Sequence, residues 1–287
     1  MMLMSHNLQA FLAVTRTGTV VGAAKTLSLT QTAVTQRIKS LERDIGTSLF
    51  LRNRKGMSLT HEGEALLQYC LQALELEGRV FAKVGGGIEL SKVAITIAGP
   101  TSILSSRIVK QTSMLHGKFP QLRLNFLIDD SENRLTLLKS GKIQLAVLRP
   151  EEVANELESK VLQPENYILV GHPKWKHRRL DDILSKEKII DFHKDDPTTI
   201  NYLKHFGLMK QIVNDRIYAN ENRALLELLC QGVGYGTLTR EIADEYISMG
   251  RVGSLNQGKA MKEPLALAWY SRREMPDYFK QIIIAIK

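Results

Sequence analysis

The stretch from Val20 to Lys39 constrains this chain more than any other, because it reads as two short helices joined by a tight turn. Val20 to Leu27 predicts the first, whose Ala23 and Ala24 permit close approach by a neighbour. After a Ser28-Leu29 turn, Thr30 is placed to cap the second, since its hydroxyl can accept from a free backbone N–H. Val34, Ile38, Leu41 and Ile45 then recur at helical spacing and define a buried side, and Gly46 ends the helix. The opposite positions carry Gln31, Thr32, Thr35, Gln36 and Lys39, with Arg37 beside them. A glutamine can bond adenine through two hydrogen bonds, a threonine can touch a thymine methyl, and Lys or Arg can neutralise phosphate or read guanine. Gln31 and Thr32 lie in the first turn, where a recognition helix meets base edges. An amphipathic core helix with a polar outside explains the same pattern, and on this segment alone the two readings balance.

Neighbouring segments shift that balance. Leu8, Phe11, Leu12 and Thr15 predict a preceding helix with one apolar stripe, broken by Gly18 and Thr19. Leu49-Phe50 and Ser58-Leu59 flank the basic tip Arg52-Asn53-Arg54-Lys55-Gly56, which suits a β-hairpin. Arg52, Arg54 and Lys55 would then lie against a nucleic-acid backbone or minor groove. From Thr60 to about Val84 a long helix is expected, with Leu66, Tyr69, Ala73, Leu76 and Val80 forming a heptad-like seam able to pair two copies. Gly85-Gly86-Gly87 reads as a hinge. The net charge is +9, and residues 1–60 alone hold eight basic residues against two acidic ones. Such concentration favours a polyanion over an ordinary solvated surface.

Together these residues resemble a known family. The pattern Ala23-Ala24-x-x-Leu27-x-x-Thr30-Gln31-x-Ala33-Val34-x-x-Arg37-Ile38-x-x-Leu41-Glu42-x-x-Ile45-Gly46 looks like the LysR-type winged helix-turn-helix. It continues through Leu49-Phe50-x-Arg52 and Leu59-Thr60-x-x-Gly63. The family's usual GSFTAAA start to the second helix appears here as Gly18-Thr19-Val20-Val21-Gly22-Ala23-Ala24, a change of packing detail. The resemblance implies a DNA-binding domain over residues 1–60 and a linker and dimerisation helix with its hinge over 61–90. It also implies a two-lobed α/β effector domain over 91–287, similar to periplasmic binding proteins. Lobe I would take 91–163 and 265–287, and lobe II 164–264. The implied partners are double-stranded DNA with an interrupted palindromic operator, a small-molecule effector, a second copy through the linker helix, a homotetramer of such dimers, and RNA polymerase.

Beyond Ser91 the residues themselves point to α/β units on largely parallel sheets. Candidate strands are Val93–Ala98, Leu122–Ile128, Leu145–Leu148, Tyr167–Val170, Lys188–Phe192, Arg216–Ala219 and Leu265–Tyr270. Helical patterns occupy Ile103–Leu115, Arg134–Lys139 and Arg223–Cys230. Gly232-Val233-Gly234-Tyr235-Gly236 lacks the Lys-Ser/Thr of a phosphate-binding loop and reads as a tight αβ turn. The family often has a proline shortly after this loop, where Thr239 stands here.

The resemblance also implies an effector cleft lined by Thr101 and Ser102, by Asp129 and Asp130, and by Asp195, Glu221 and Asn222. Amides at the helix start near Thr101 and Ser102 could hold a carboxylate, although helix caps are the commoner role for such residues. Phe192-His193-Lys194-Asp195-Asp196, with the TQTAVTQRIKSLE stretch, is similar to a LysR subgroup that answers to lysine or arginine. Asp129, Asp130 and Asp195 could supply carboxylates to a cationic side chain. For any single aspartate the ordinary reading is a solvated loop acid.

Bulk properties exclude several other classes. At 287 residues the chain accommodates more than one domain, and 44% hydrophobic with 24% charged residues fits a globular protein. Cys70 and Cys230 stand far apart without a CxxC, so neither a disulfide framework nor a zinc site is expected. No apolar run approaches the ~20 residues of a membrane span. Met1 to Gln9 lack the basic-then-apolar order of a signal peptide, so the expectation is a cytoplasmic protein. No catalytic triad, paired carboxylates or metal cluster stands out, and His172, His177, His193 and His205 fit no ligand spacing, so neither an enzyme nor a cofactor is expected. A solute-binding protein built on the same lobes, and an enzyme fused to a DNA-binding head, are the alternatives.

Overall fold

The computed structural model describes residues 4–53, 56–84, 93–129, 133–213, 215–272 and 275–287, with the backbone alone for 78, 79, 81–84 and 211. Arg54, Lys55, Asp130 and the Gly85-Gly86-Gly87 hinge lie outside the described residues.

The N-terminal head comprises α1 (His6–Thr17), α2 (Val20–Leu27), α3 (Gln31–Ile45) and the hairpin β1 (Phe50–Asn53) and β2 (Gly56–Leu59). Its ends follow local chemistry. Ser5, Thr19 and Thr30 each accept a backbone N–H at a helix start, and Gly18 and Gly46 take the left-handed conformation that closes α1 and α3. Phe11, Val14, Ala23, Ala24, Val34, Ile38 and Leu41 form one core with Leu49 and Phe50, and the Phe11 and Phe50 rings stand 5.3 Å apart. Ile45 departs from the expected stripe and is 45% exposed, because it sits in the last turn of α3, beyond the edge of that core. Gly22, where the chain differs from the family pattern, has its own steric reason: a Cβ there would stand 2.7 Å from that of Thr17.

The hairpin strands reach further than expected. Arg52 pairs with Met57 and Asn53 with Gly56, so the pairing takes in Arg52, Asn53 and Gly56, which were expected in the basic tip. The long helix α4 (His61–Val84) follows. Its Leu67 and Cys70 join the head's core, and burial raises the Cys70 thiol to about 11, so this cysteine is an inert core residue.

The next elements are β3 (Val93–Gly99), α5 (Thr101–Ile103), α6 (Val109–Thr112), α7 (Leu115–Lys118), β4 (Leu122–Ile128), α8 (Arg134–Lys139) and β5 (Leu145–Leu148). A π-helical turn, Leu104–Ile108, joins α5 to α6. Then come β6 (Leu157–Gly171), α9 (Leu180–Lys186), β7 (Lys188–Asp191), α10 (Thr198–His205), β8 (Arg216–Tyr218) and α11 (Asn222–Cys230). The chain ends with β9 (Gly234–Thr239), α12 (Arg240–Ser248), β10 (Gly253–Ser254), β11 (Ala260–Tyr270) and α13 (Asp277–Ala285).

Two compact units result: Met1–Lys160 with Ala266–Lys287, and Val161–Leu265. The chain leaves the first within β6 and returns within β11. In the first unit β3 runs parallel to β4 and β5, and β11 is antiparallel to β5. In the second, β7 runs parallel to β8 and β9, while β6 is antiparallel to β9 and to β10. Both sheets are therefore mixed rather than largely parallel, since the two strands that change unit run against their neighbours. The glycine-rich stretch is also corrected. Only Gly232, at φ +73°, makes a turn, and Gly234 to Gly236 open β9. A Cβ on Gly234 or Gly236 would stand 2.3 or 2.4 Å from the Lys188 or Ile190 carbonyl oxygen, so these glycines admit the close approach of β7.

Candidate functional site

On α3 the burial of Val34, Ile38 and Leu41 turns Gln31, Thr32, Gln36 and Lys39 outward, with Thr35 and Arg37 half-buried at the margins. The Thr35 hydroxyl donates to the Gln31 carbonyl at 2.8 Å. What it offers a groove is therefore its methyl group and oxygen lone pairs, which suits a thymine methyl more than a donor-dependent contact. Arg52 is exposed on β1. The hairpin is fixed to the helices by Met57 N–H, which donates to Gly18 O at 2.8 Å, and by Leu49 N–H, which donates to Glu42 Oε1 at 2.8 Å. The wing thus has a set position relative to α3 in the same core. On α4 the seam residues Tyr69, Leu76 and Val80 are 61%, 51% and 39% exposed, while Leu66 and Ala73 pack partly on the head.

In the first unit Thr101, Ser102 and Asp129 meet at the carboxyl ends of β3 and β4, where Gly99 pairs with Ile128. Asp129 N–H donates to Gly99 O at 3.0 Å, and the largely buried Arg134 donates to Asp129 O. Pro100 holds the N-cap position without a side-chain bond, so Thr101 and Ser102 are the first helical residues and not the caps. Their amides point out of the helix start, the geometry that receives an anion.

In the second unit the residues after β7 and β8 share one sheet edge, since Asp191 pairs with Tyr218. Asp195 is exposed there. Glu221 caps α11, accepting from Arg223 and Ala224 N–H at 3.0 and 2.9 Å, and those backbone bonds hold its carboxyl below the ordinary range. Asn222 is the first, half-buried residue of that helix.

Sequence reading missed the charged group that organises this edge. Asp191, 2% exposed, accepts from Arg216 Nε at 2.7 Å, and burial still raises its carboxyl above the usual range. The same guanidinium donates to Asp196 O at 2.8 Å and Lys194 O at 3.2 Å, so it pins the loop bearing Asp195. Asp196 accepts from the amide and hydroxyl of Thr198 and from Phe192 N–H. Glu165, 4% exposed, accepts from Tyr167 Oη at 3.0 Å. Burial, and then the Glu165 charge, push the Tyr167 phenol well above its ordinary value. The Asp-Pro-Thr-Thr capping run was readable as a turn; the Asp191–Arg216 pair had no local signal. Among the described residues no three His, Cys, Asp or Glu gather as a metal site, and no helix is long and apolar enough to cross a membrane.

A helix-turn-helix with an outward polar face on its second helix, a strand hairpin and a long following helix, ahead of an α/β region, define a winged helix-turn-helix transcriptional regulator. Comparison with known proteins agrees. Residues 5–64 match the bacterial regulatory helix-turn-helix proteins of the lysR family, and residues 91–287 match the LysR substrate binding domain. The chain belongs to the LysR family: it is a DNA-binding transcriptional regulator with an effector-binding domain. It is 26% identical over 261 residues to the HTH-type transcriptional regulator AbaB of Streptomyces antibioticus, covering 86% of this chain and 85% of that protein. Its fold is similar to that of full-length LysG from Corynebacterium glutamicum with bound effector Arg, at TM-score 0.78 and 20% identity, covering 98% of this chain and 96% of that one. It is similar also to ArgP from Mycobacterium tuberculosis, at TM-score 0.80 and 22% identity, covering 99% and 96%.

Proposed function

We propose that two copies pair through the Tyr69, Leu76 and Val80 seam of α4 and present two α3 helices to an interrupted palindrome. Such heads address successive major grooves about 34 Å apart, or a multiple of that. Gln31, Thr32 and Thr35 read base edges. Gln36, Arg37, Lys39 and Arg52 hold phosphates, joined by Arg54 and Lys55 at the wing tip. The observation that carries this reading is the outward polar face of α3 beside a hairpin bonded into the same core. Tetramer formation and contact with RNA polymerase extend it, and the site of action is the cytoplasm, where the chromosome lies. We assign no catalytic role and no cofactor.

The effector in this reading is a basic amino acid. Support comes from the acidic residues that follow two of the strands, Asp129 after β4 and the exposed Asp195 after β7, while Thr101 and Ser102 amides suit an α-carboxylate. The likeness to LysG with bound Arg, and to ArgP, points the same way. Isothermal calorimetry with lysine, arginine and histidine tests it. The expected result is saturable heat with lysine or arginine that Asp129→Asn weakens about tenfold or more. Absence of heat, together with an unchanged melting temperature, overturns it.

A further inference from the structure

Helix α4 has a second face, turned away from its apolar seam, that is bonded to the regulatory half within the same compact unit. Gln68 Nε2 donates to the Lys139 carbonyl at 3.2 Å, Gln72 Nε2 donates to the Ser271 carbonyl at 3.1 Å, and Glu75 pairs with Arg272. Beside these contacts lies a cavity of about 460 Å³, bounded by α4, the end of α1 and the first residues of β3. That volume falls in the range of small-molecule sites, ~300–1,000 Å³.

The polar groups around the cavity are unevenly satisfied. The Glu75 charge is met by Arg272, and Tyr278 Oη donates to its other oxygen. Arg16, exposed in the last turn of α1, lines the cavity and has no hydrogen-bond or ion-pair partner among the described residues. Gln68 and Gln72 use their NH₂ groups on backbone carbonyls, which leaves the two Oε1 atoms as acceptors. Leu71, Leu74, Ile95 and Ile143 supply apolar walls. One guanidinium without a protein partner, two amide acceptors and apolar walls thus line the same cavity, and together they describe a ligand of definite chemistry.

We propose that this cavity is a second small-molecule site, taking a compact carboxylic acid that carries a hydroxyl or amino donor at its far end. Arg16 takes the carboxylate in a bidentate pair, the Gln68 and Gln72 carbonyls take the donor, and the leucine and isoleucine walls take the body. The site is separate from the residues assigned to the effector. It abuts Val93 to Ile95 at the start of β3, whereas Thr101 follows the end of that seven-residue strand, about 20 Å on at strand rise. A ligand held there touches the DNA-binding head, the linker and the regulatory half together. Its binding free energy therefore opposes any rearrangement that separates them.

The test uses the full chain, with 4-hydroxybenzoate as probe and the uncharged, equally sized 4-hydroxybenzamide as control, read by equilibrium dialysis. The acid is expected to bind, with the amide weaker by about tenfold or more, the loss that goes with one charge-assisted pair. Arg16→Gln, at an exposed position, should lose the same factor, and Arg16→Lys should recover part of it. Leu74→Trp, which fills the cavity from the linker side, should abolish binding without removing the charge. Binding should persist in saturating arginine and in Asp129→Asn, so its outcome is independent of the basic amino-acid reading. No binding of the acid, no preference over the amide, unchanged affinity in Arg16→Gln, or displacement by arginine overturns the proposal.

Discussion

Arg272 closes an ion pair on Glu75, 197 positions earlier in the chain, and the two side chains are only 11% and 14% exposed. Tyr278 donates to the other Glu75 oxygen, and the Arg272 guanidinium lies 3.9 Å from the centroid of the Phe279 ring. Helix α4 is thereby fastened to the segment just after β11 and to α13. Removing one partner leaves a charge largely out of water. Arg272→Ala is expected to cost about 3 kcal/mol in urea unfolding, and Glu75→Leu with Arg272→Leu together distinctly less than the sum of the two single changes. Additive losses would show that the pair is not coupled.

Gly63 makes a sharper steric prediction. A Cβ there would stand 2.2 Å from the Leu49 carbonyl oxygen, a backbone atom held by Thr60 N–H at 3.0 Å. The neighbour cannot rotate away, so the start of α4 has to shift from the wing. Gly63→Ala is expected to destabilise the head by about 2 kcal/mol or more, seen as a lower melting temperature and loss of DNA binding. Gly117, where an added Cβ meets nothing within 4 Å, is the matched control.

These long-range contacts mark where sequence reading stops. The α3 segment was legible because its signals are local: the Thr30 cap, the Val34–Ile38–Leu41 spacing and the Gly46 terminator act within a few residues of one another. The same period overreached at Ile45, since periodicity cannot say where the packing partner ends. Gly234 and Gly236 looked like turn residues because their purpose is set by carbonyls on β7, more than 40 positions away. Asp191 was hidden for a related reason: its partner Arg216 stands 25 residues on and on another strand. Asp195 drew notice as one of a visible acidic pair, yet the structure places it outside and uses its neighbours to shape the loop.

Glu221 gives a pH-dependent outcome. Its carboxylate accepts two backbone N–H groups at the start of α11, and its carboxyl is held below the ordinary value by them. A folded-state value below the unfolded one means stabilisation that is present above the ordinary carboxylate range, ~4.3, and lost as pH falls through the folded value. Glu221→Gln should therefore melt lower than the parent at neutral pH, and the gap should close on acidification. Melting curves recorded across that range decide it, and a gap that widens toward acid contradicts the capping role.

The two kinds of DNA contact separate by their salt and sequence dependence. Gln31 stands on the outward face in the first turn of α3, whereas Arg52 stands exposed on the hairpin, and the proposed function gives the first a base edge and the second a phosphate. A base-edge contact contributes to one sequence and not to another, while a phosphate contact contributes to all. Gln31→Ala is expected to cost about 1–3 kcal/mol on the cognate operator and little on random duplex. Arg52→Ala should weaken both about equally and lower the slope of log affinity against log salt by about one. Fluorescence anisotropy at several salt concentrations, on cognate and scrambled duplexes, measures all four quantities. Equal losses for Gln31→Ala on the two duplexes would remove it from base reading and leave Thr32 and Thr35 to carry that role.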